Sequence, residues 1–146
     1  MRADARRLPF RDGAFDAAIS LCQGGFGLLG GEDDPAVLEQ MAAVVRPGGR
    51  VALSAFSAYF AVRYLEEGET FDAATGVNHE RAEVRNPDGQ PATFDLWTTC
   101  FTPRELKLMA HRAGITVRAI WSVAPGDYAE RPPDLDHPEF LLVGGV

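Results

Sequence analysis

The chain has 146 residues, 46% of them hydrophobic, and 14 Lys and Arg against 21 Asp and Glu give it a net charge of −7. That length predicts one domain with a core that removes roughly 70% of the unfolded chain's surface from water. The only basic grouping is Arg2, Arg6 and Arg7, too little to neutralise a phosphate backbone, so nucleic acid is excluded as a substrate; the acidic balance is the ordinary solubility device.

Cys22 and Cys100 are too few and too far apart for a disulfide framework or a metal site, so no metal is expected and a reduced, cytoplasmic chain is. No signal-peptide pattern or membrane-length apolar run occurs, and no membrane association is expected.

In chain order, Asp12-Gly13 is a turn that leads into Phe15, Ala17, Ala18, Ile19 and Leu21, a nearly continuous apolar run. Such a run predicts a parallel strand buried on both faces. The loop Cys22-Gln-Gly-Gly-Phe-Gly-Leu-Leu-Gly-Gly31 follows. It lacks the Lys-Ser/Thr ending and the spacing of a phosphate loop, and reads as a flexible lid or substrate loop in which Phe26 either covers a ligand or plugs the core. Asp34 as N-cap and Pro35 at the first position open a helix with Val37, Leu38, Met41, Val44 and Val45 on its apolar face. Pro47-Gly48-Gly49 stops it, and Val51 to Phe56 is the next strand, completing one right-handed βαβ unit.

Ser57 to Leu65 continues as a helix with Phe60 and Tyr64 on one face. Asn86-Pro87-Asp88-Gly89 joins strands around 79–84 and 92–100 into an antiparallel hairpin. His79 beside Glu80 has the composition of a general base with its orienting partner. Adjacent strand residues point to opposite faces, however, which argues against a direct dyad. Thr102, Pro103 and Glu105 form a capping box at the start of a third helix, which Gly114 ends. Alternating Ile115, Val117, Ala119, Trp121 and Val123 predict a strand with one wet face; a Pro-rich surface connection leads from it to a last apolar strand at 139–143.

The succession Ala3-Asp4-Ala5, Leu8-Pro9-Phe10, Asp12-Gly13-Ala14-Phe15-Asp16 and Val44-Val45-Arg46-Pro47-Gly48-Gly49-Arg50 resembles the second half of a class I S-adenosylmethionine-dependent methyltransferase, of the type 11 kind. Phe101-Thr-Pro-Arg-Glu-Leu106 resembles the family's late helix. The resemblance is close over the first third and looser beyond. It implies an α/β fold, a Rossmann-like half-sheet of parallel strands with a C-terminal antiparallel strand, plus an inserted β-hairpin. Residues 1–146 would be a single partial domain, with 57–100 a substrate-side helix and hairpin. The family's glycine-rich cofactor loop and the acidic residue after its second strand have no counterpart here, so the chain resembles the C-terminal half alone. The strand around Phe15 should then carry a hydrophobic edge, covered by a homodimer partner or an N-terminal segment.

The resemblance also implies roles. S-adenosylmethionine would be the cofactor and a small molecule the methyl acceptor. Asp4 would accept from the adenine amino group while the Ala5 amide reaches a ring nitrogen. Leu21, Cys22 and Gln23, at the carboxyl end of a parallel strand, would line the reactive end, with Phe26 over the ligand. Tyr59, Arg63, His79 and Trp97 are the candidates for the acceptor pocket. No residue is singled out as catalytic, since methyl transfer asks mainly for alignment and exclusion of water; a Cys22 nucleophile is set against the inert packing role of most buried cysteines. The alternative to an enzyme is a non-catalytic methyltransferase-fold remnant or interaction module. A nucleotide-binding oxidoreductase is disfavoured by the missing glycine fingerprint.

Overall fold

A computed structural model describes residues 2–21 and 25–146. Strand β1 (Phe15–Ser20), helix α1 (Asp34–Val44) and strand β2 (Val45–Ser57) form the expected parallel βαβ unit, with Ala18 opposite Val51 and Ser20 opposite Leu53. Helix α2 (Ala58–Arg63), strands β3 (Thr70–Asp72), β4 (Val77–Arg85) and β5 (Pro91–Phe101), helix α3 (Pro103–Arg112) and strands β6 (Thr116–Val123) and β7 (Glu139–Gly145) follow. The sheet runs β3-β4-β5-β2-β7-β6, and β1 pairs with β2.

The long central strand β2 organises the molecule. Its residues Arg50 to Phe56 pair with β7 on one edge, antiparallel. The same stretch pairs with β1, so β1 lies on the other edge. On that edge β5 takes over, parallel, at Phe56 and Ser57. β7 therefore sits antiparallel between β2 and β6, as the resemblance implied.

Val51, Leu53 and Ala55 of β2 point to one face, where α1 supplies Val37, Leu38 and Met41 and α3 supplies Leu106 and Ala110, all buried. Helix α3 starts as its sequence dictates: the Thr102 hydroxyl accepts from the Glu105 amide at 3.2 Å and the Glu105 carboxylate accepts from the Thr102 amide at 3.3 Å. Thr102→Ala removes half of this reciprocal cap and is expected to lower stability by about 1 kcal/mol in urea unfolding.

Four expectations need correction. Helix α1 is capped at Asp33, and Asp34 is its first residue, fully buried, with its carboxylate turned inward to accept from the Gly27 amide at 2.8 Å. The strand after α1 begins at Val45, ahead of the Pro47-Gly48-Gly49 turn signal, because Val45 already pairs with Phe15 of β1; residues 46–49 bulge out before the pairing resumes at Arg50. Strand β3 was missed; three residues give too short a pattern to read. β1 is not buried on both faces: Phe15 is 40% and Ile19 72% exposed. Among the described residues no strand pairs with its outer edge, and a shallow apolar groove of about 270 Å³ runs there between β1, Leu8, Phe10 and α1. The apolar run in the sequence records a strand suited to burial, which the described chain covers on one side only.

The hairpin comes out as expected. β4 and β5 pair antiparallel from Val77–Thr99 to Arg85–Pro91 around the Asn86-Pro87-Asp88-Gly89 turn, where the Asn86 side chain accepts from the amides of Asp88 and Gln90 at 3.0 and 2.9 Å. Because β5 also joins β2, the hairpin extends the main sheet.

Candidate functional site

Open α/β sheets present their ligand crevices beyond the carboxyl ends of their parallel strands. A cavity of about 800 Å³ lies there, against Phe56 and Ser57 at the end of β2. Leu28, Leu29 and Gly30 form one wall, and Phe60, Ala61 and Tyr64 of the α2 region another. The inward face of the hairpin supplies Asn78, Glu80, Leu96, Thr98 and Cys100, residues that alternate along β4 and β5. Glu66 and Glu69, on the loop between α2 and β3, close the remaining side.

The loop that carries Leu28 to Gly30 is pinned rather than free at its start. The Gly27 amide donates to Asp34 and its carbonyl accepts from the Thr99 amide at 2.7 Å. Gly27 adopts φ +81°, and a Cβ there would come within 3.1 Å of the Thr99 carbonyl oxygen, so glycine is required. Phe26 is 1% exposed and stacks on Phe101 at 4.9 Å between centroids. Of the two roles open to Phe26, the structure shows the core plug, and the expectation of a flexible lid does not hold for residues 25–27.

The other sequence candidates divide into groups. Asp4 is exposed, and its carboxylate accepts from the Arg6 amide, Nε and Nη2 at 2.8–3.0 Å; these bonds hold it down at about 2. Arg6 in turn reaches Asp33 at 2.6 Å, tying the Asp4-Ala5 turn to the start of α1. Ala5 packs at the core's edge, and a Cβ on Gly25 would stand 3.5 Å from the Ala5 methyl. Leu21 directly follows β1 and is half-buried. Cys22 and Gln23 lie outside the described residues.

Trp97 lines the cavity. Its cross-strand partner His79 lies on the same face of the hairpin as Trp97, stacks on its ring at 5.0 Å and bonds Asp95 at 2.8 Å, so both rings stand on the face opposite to Glu80. Glu80 faces the cavity, so the alternation that argued against a His79–Glu80 dyad is what the strand shows. Asp95 is held below the ordinary carboxylate range by the His79 hydrogen bond first and the Arg81 bond after it. Tyr59 packs its ring edge on Phe140 at 6.1 Å, and Arg63 pairs with Asp136 at 3.3 Å; neither is on the cavity wall.

Electrostatically the cavity is acidic. Burial first, then the hydrogen bond and charge of Glu69, then the charge of Glu66, raise the Glu80 carboxyl above its ordinary value. The Tyr64 hydroxyl donates to Asp136 at 2.8 Å, a bond that holds its phenol protonated and excludes it as a base. Composition alone could not show that Glu66, Glu69 and Glu80 converge. The alternation of Asn78 and Glu80 opposite Thr98 and Leu96 could show that these four share one hairpin face, without saying that it is the inward one.

Burial pushes the Cys100 thiol up to about 12. It stays protonated at neutral pH and is expected to react with a disulfide reagent only after unfolding, as read in a Cys22→Ser background. Fast labelling of the folded protein would contradict the burial. Among the described residues no group of His, Cys, Asp or Glu is arranged to hold a metal ion, and no helix is long and apolar enough to cross a membrane.

Residues 1–53 match the methyltransferase domain family. Over 54 residues the chain is 50% identical to the demethylmenaquinone methyltransferase of Mycolicibacterium vanbaalenii, a match that covers 37% of this chain and 22% of that relative. Among solved structures, the CcbJ methyltransferase from Streptomyces caelestis superposes over 99% of this chain and 62% of its own, with a TM-score of 0.76 at 18% identity. An S-adenosylmethionine-dependent methyltransferase from Clostridium acetobutylicum does so over 99% and 63%, with a TM-score of 0.72 at 10% identity. The resemblance read from the residues holds: the first third matches the methyltransferase-domain model, and the whole chain has the Rossmann-like fold of these structures. It spans under a quarter of the curated relative's length and about three-fifths of the two structures'.

Proposed function

We propose that this chain takes part in transfer of a methyl group from S-adenosylmethionine to a small-molecule acceptor, and that it supplies the acceptor side of the site. The observation that carries this reading is the position of the 800 Å³ cavity, at the carboxyl end of the central parallel strand and walled by the α2 and hairpin segment between residues 57 and 100. Bound S-adenosylmethionine supplies a sulfonium methyl whose C–S bond breaks as the bond to the acceptor forms, leaving a thioether.

The residues near the end of β1 fit an adenosyl group. The exposed Asp4-Ala5 turn lies beside Gly25, where a side chain would fill the approach to Ala5. Asp4 would receive the adenine amino group beside the bonds it already accepts from Arg6, with Leu21, Cys22 and Gln23 toward the methyl. Phe56, Phe60, Leu29 and Leu96 orient the acceptor and exclude water, the protein's main task in an in-line displacement. Tyr59, Arg63 and His79 would act around this pocket as supporting residues, through Phe140, Asp136 and Trp97 respectively.

The bare edge of β1 belongs to the same proposal. Phe15, Ile19 and the groove beside them suit a covering strand from a second copy of the chain or from an N-terminal segment, because an open apolar edge left bare invites aggregation. The buried free thiol of Cys100 suits a chain working in the reducing cytoplasm. A non-catalytic remnant is the second reading, favoured by that same bare edge.

Isothermal titration with S-adenosylhomocysteine separates the two. Saturable heat with S-adenosylhomocysteine and none with nicotinamide cofactors is expected. Absence of heat at millimolar ligand would favour the remnant.

A further inference from the structure

We propose that the open edge of β6 between Thr116 and Ile120 takes an extended acidic peptide segment of a partner protein as an added strand. The inference stands apart from the methyl-transfer reading and rests on the backbone edge and on the charge beside it.

β6 ends the sheet, with β7 on one side and, among the described residues, no strand on the other. Near its carboxyl end that outer edge is already in use. The Ser122 amide donates to the Arg131 carbonyl at 2.9 Å, and the Ser122 carbonyl accepts from the Arg131 guanidinium at 3.2 Å. Among the described residues no hydrogen bond covers the edge at 116–120 in this way. A groove of about 390 Å³ runs there instead, between the strand and Lys107 and His111 of α3. Every residue from Thr116 to Ile120 borders the groove. Successive side chains of a strand point to opposite faces, so a wall of consecutive residues is the strand's edge and not one of its faces. Such an edge offers a row of backbone donors and acceptors, which an extended chain matches.

Charge says which chain. Lys107, the only lysine in the sequence, and His111 stand one turn apart on α3, and Arg118 sits at the bulge in β6. All three are exposed and border the groove, and no Asp or Glu does. Among the described residues none of the three forms an ion pair. On a chain of net charge −7 this is a basic site. Charged side chains on an edge keep unwanted strands away. When the charges share one sign they do so selectively, repelling a basic strand and favouring an acidic one. Three bases are too few for a nucleic-acid backbone, and a free anion would leave the row of backbone groups unused.

A partner bound there leaves the cavity open. Thr116 stands in the cross-sheet row of Gly145 and Arg50, whereas Val123 stands in that of Glu139 and Phe56 at the cavity. The strand between the two rows is roughly 20 Å long.

The test uses three capped peptides on the full chain: one of alternating Glu and Val, one with Lys in place of Glu, and one with Pro in place of Val, which keeps the charge and removes backbone donors. Isothermal titration ranks them and amide chemical shifts locate them. The Glu peptide is expected to bind at least about tenfold more tightly than either control, with shifts at Thr116–Ile120. Lys107→Glu with His111→Glu, both exposed positions, should weaken it by a similar factor. Equal affinity of the Glu and Lys peptides, equal affinity of the Pro peptide, no binding at millimolar concentration, or shifts centred elsewhere would each overturn the proposal. So would inorganic phosphate moving the same amides as strongly, which would make the groove an anion site, or self-association lost in the double variant, which would give the edge to a second copy. The peptide ranking needs no variant, so a double variant that fails to fold leaves the test intact.

Discussion

Phe26→Ala is expected to lower the unfolding free energy by about 3–5 kcal/mol, the cost of deleting a large buried aromatic and leaving its cavity behind. Phe26 is 1% exposed, stacks on Phe101, itself 2% exposed, and belongs to the same buried cluster as Leu38 and Leu106. Its neighbour Gly27 is fixed to both Asp34 and Thr99, so the loop cannot easily collapse into the vacated space. Were Phe26 a lid over a ligand, alanine would leave stability almost unchanged and weaken ligand binding alone. Urea unfolding followed by circular dichroism decides between them. A loss below about 1 kcal/mol would return Phe26 to the surface of the site. Phe26→Leu, which keeps most of the volume, should recover much of the difference.

Gly49→Ala is the second large effect, with an expected cost of about 3 kcal/mol or more. A Cβ at Gly49 would approach the Asp16 carbonyl oxygen at 2.6 Å and the Arg46 carbonyl oxygen at 2.9 Å, and would collide with Val45 Cγ1. Two of these are backbone atoms of paired strands, which cannot move without disturbing the β1–β2 register. Gly48 is the control. It adopts φ +80° but has open space around its Cβ position, so Gly48→Ala costs only the left-handed backbone penalty, about 1–2 kcal/mol. If Gly49→Ala proved no worse than Gly48→Ala, the close approach of β1 to the start of β2 would be wrong.

These two positions show what could be read from the residues and what could not. Pro47-Gly48-Gly49 was legible as a chain reversal, because proline and glycine fix backbone geometry locally. That Gly49 is also the point where β1 crosses close to β2 depends on tertiary pairing. The hairpin turn at 86–89 and the capping box at Thr102 were legible for the same local reason, and both formed as expected. Asp34 was misassigned because two adjacent acids before Pro35 both satisfy the capping pattern; only the burial of Asp34 against Gly27 separates them. The apolar run at Phe15–Leu21 correctly marked a parallel strand. Its exposure depends on what lies alongside, which no periodicity within the run encodes.

The site was less legible than the fold for a related reason. Trp97 and His79 were picked for their chemistry and share one hairpin face, stacked on each other, and of the two only Trp97 also borders the cavity. Hairpin alternation could assign the two to one face and Glu80 to the other, but could not say which face met α2. Glu66 and Glu69 carried no signal of their own, and Glu80 was weighed only as a partner for His79. Their meeting is set by the fold of the α2–β3 loop over the hairpin.

The central claim is that an adenosyl ligand lies between the start of the chain and the cavity at the end of β2. Amide chemical shifts recorded during titration with S-adenosylhomocysteine test it most directly. Shifts at Asp4, Ala5, Leu21, Leu28 and Leu29, with the amides of α3 and β6 unmoved, are the predicted result. A saturating shift pattern centred on α3 and β6, or no shift at all at millimolar ligand, would contradict it.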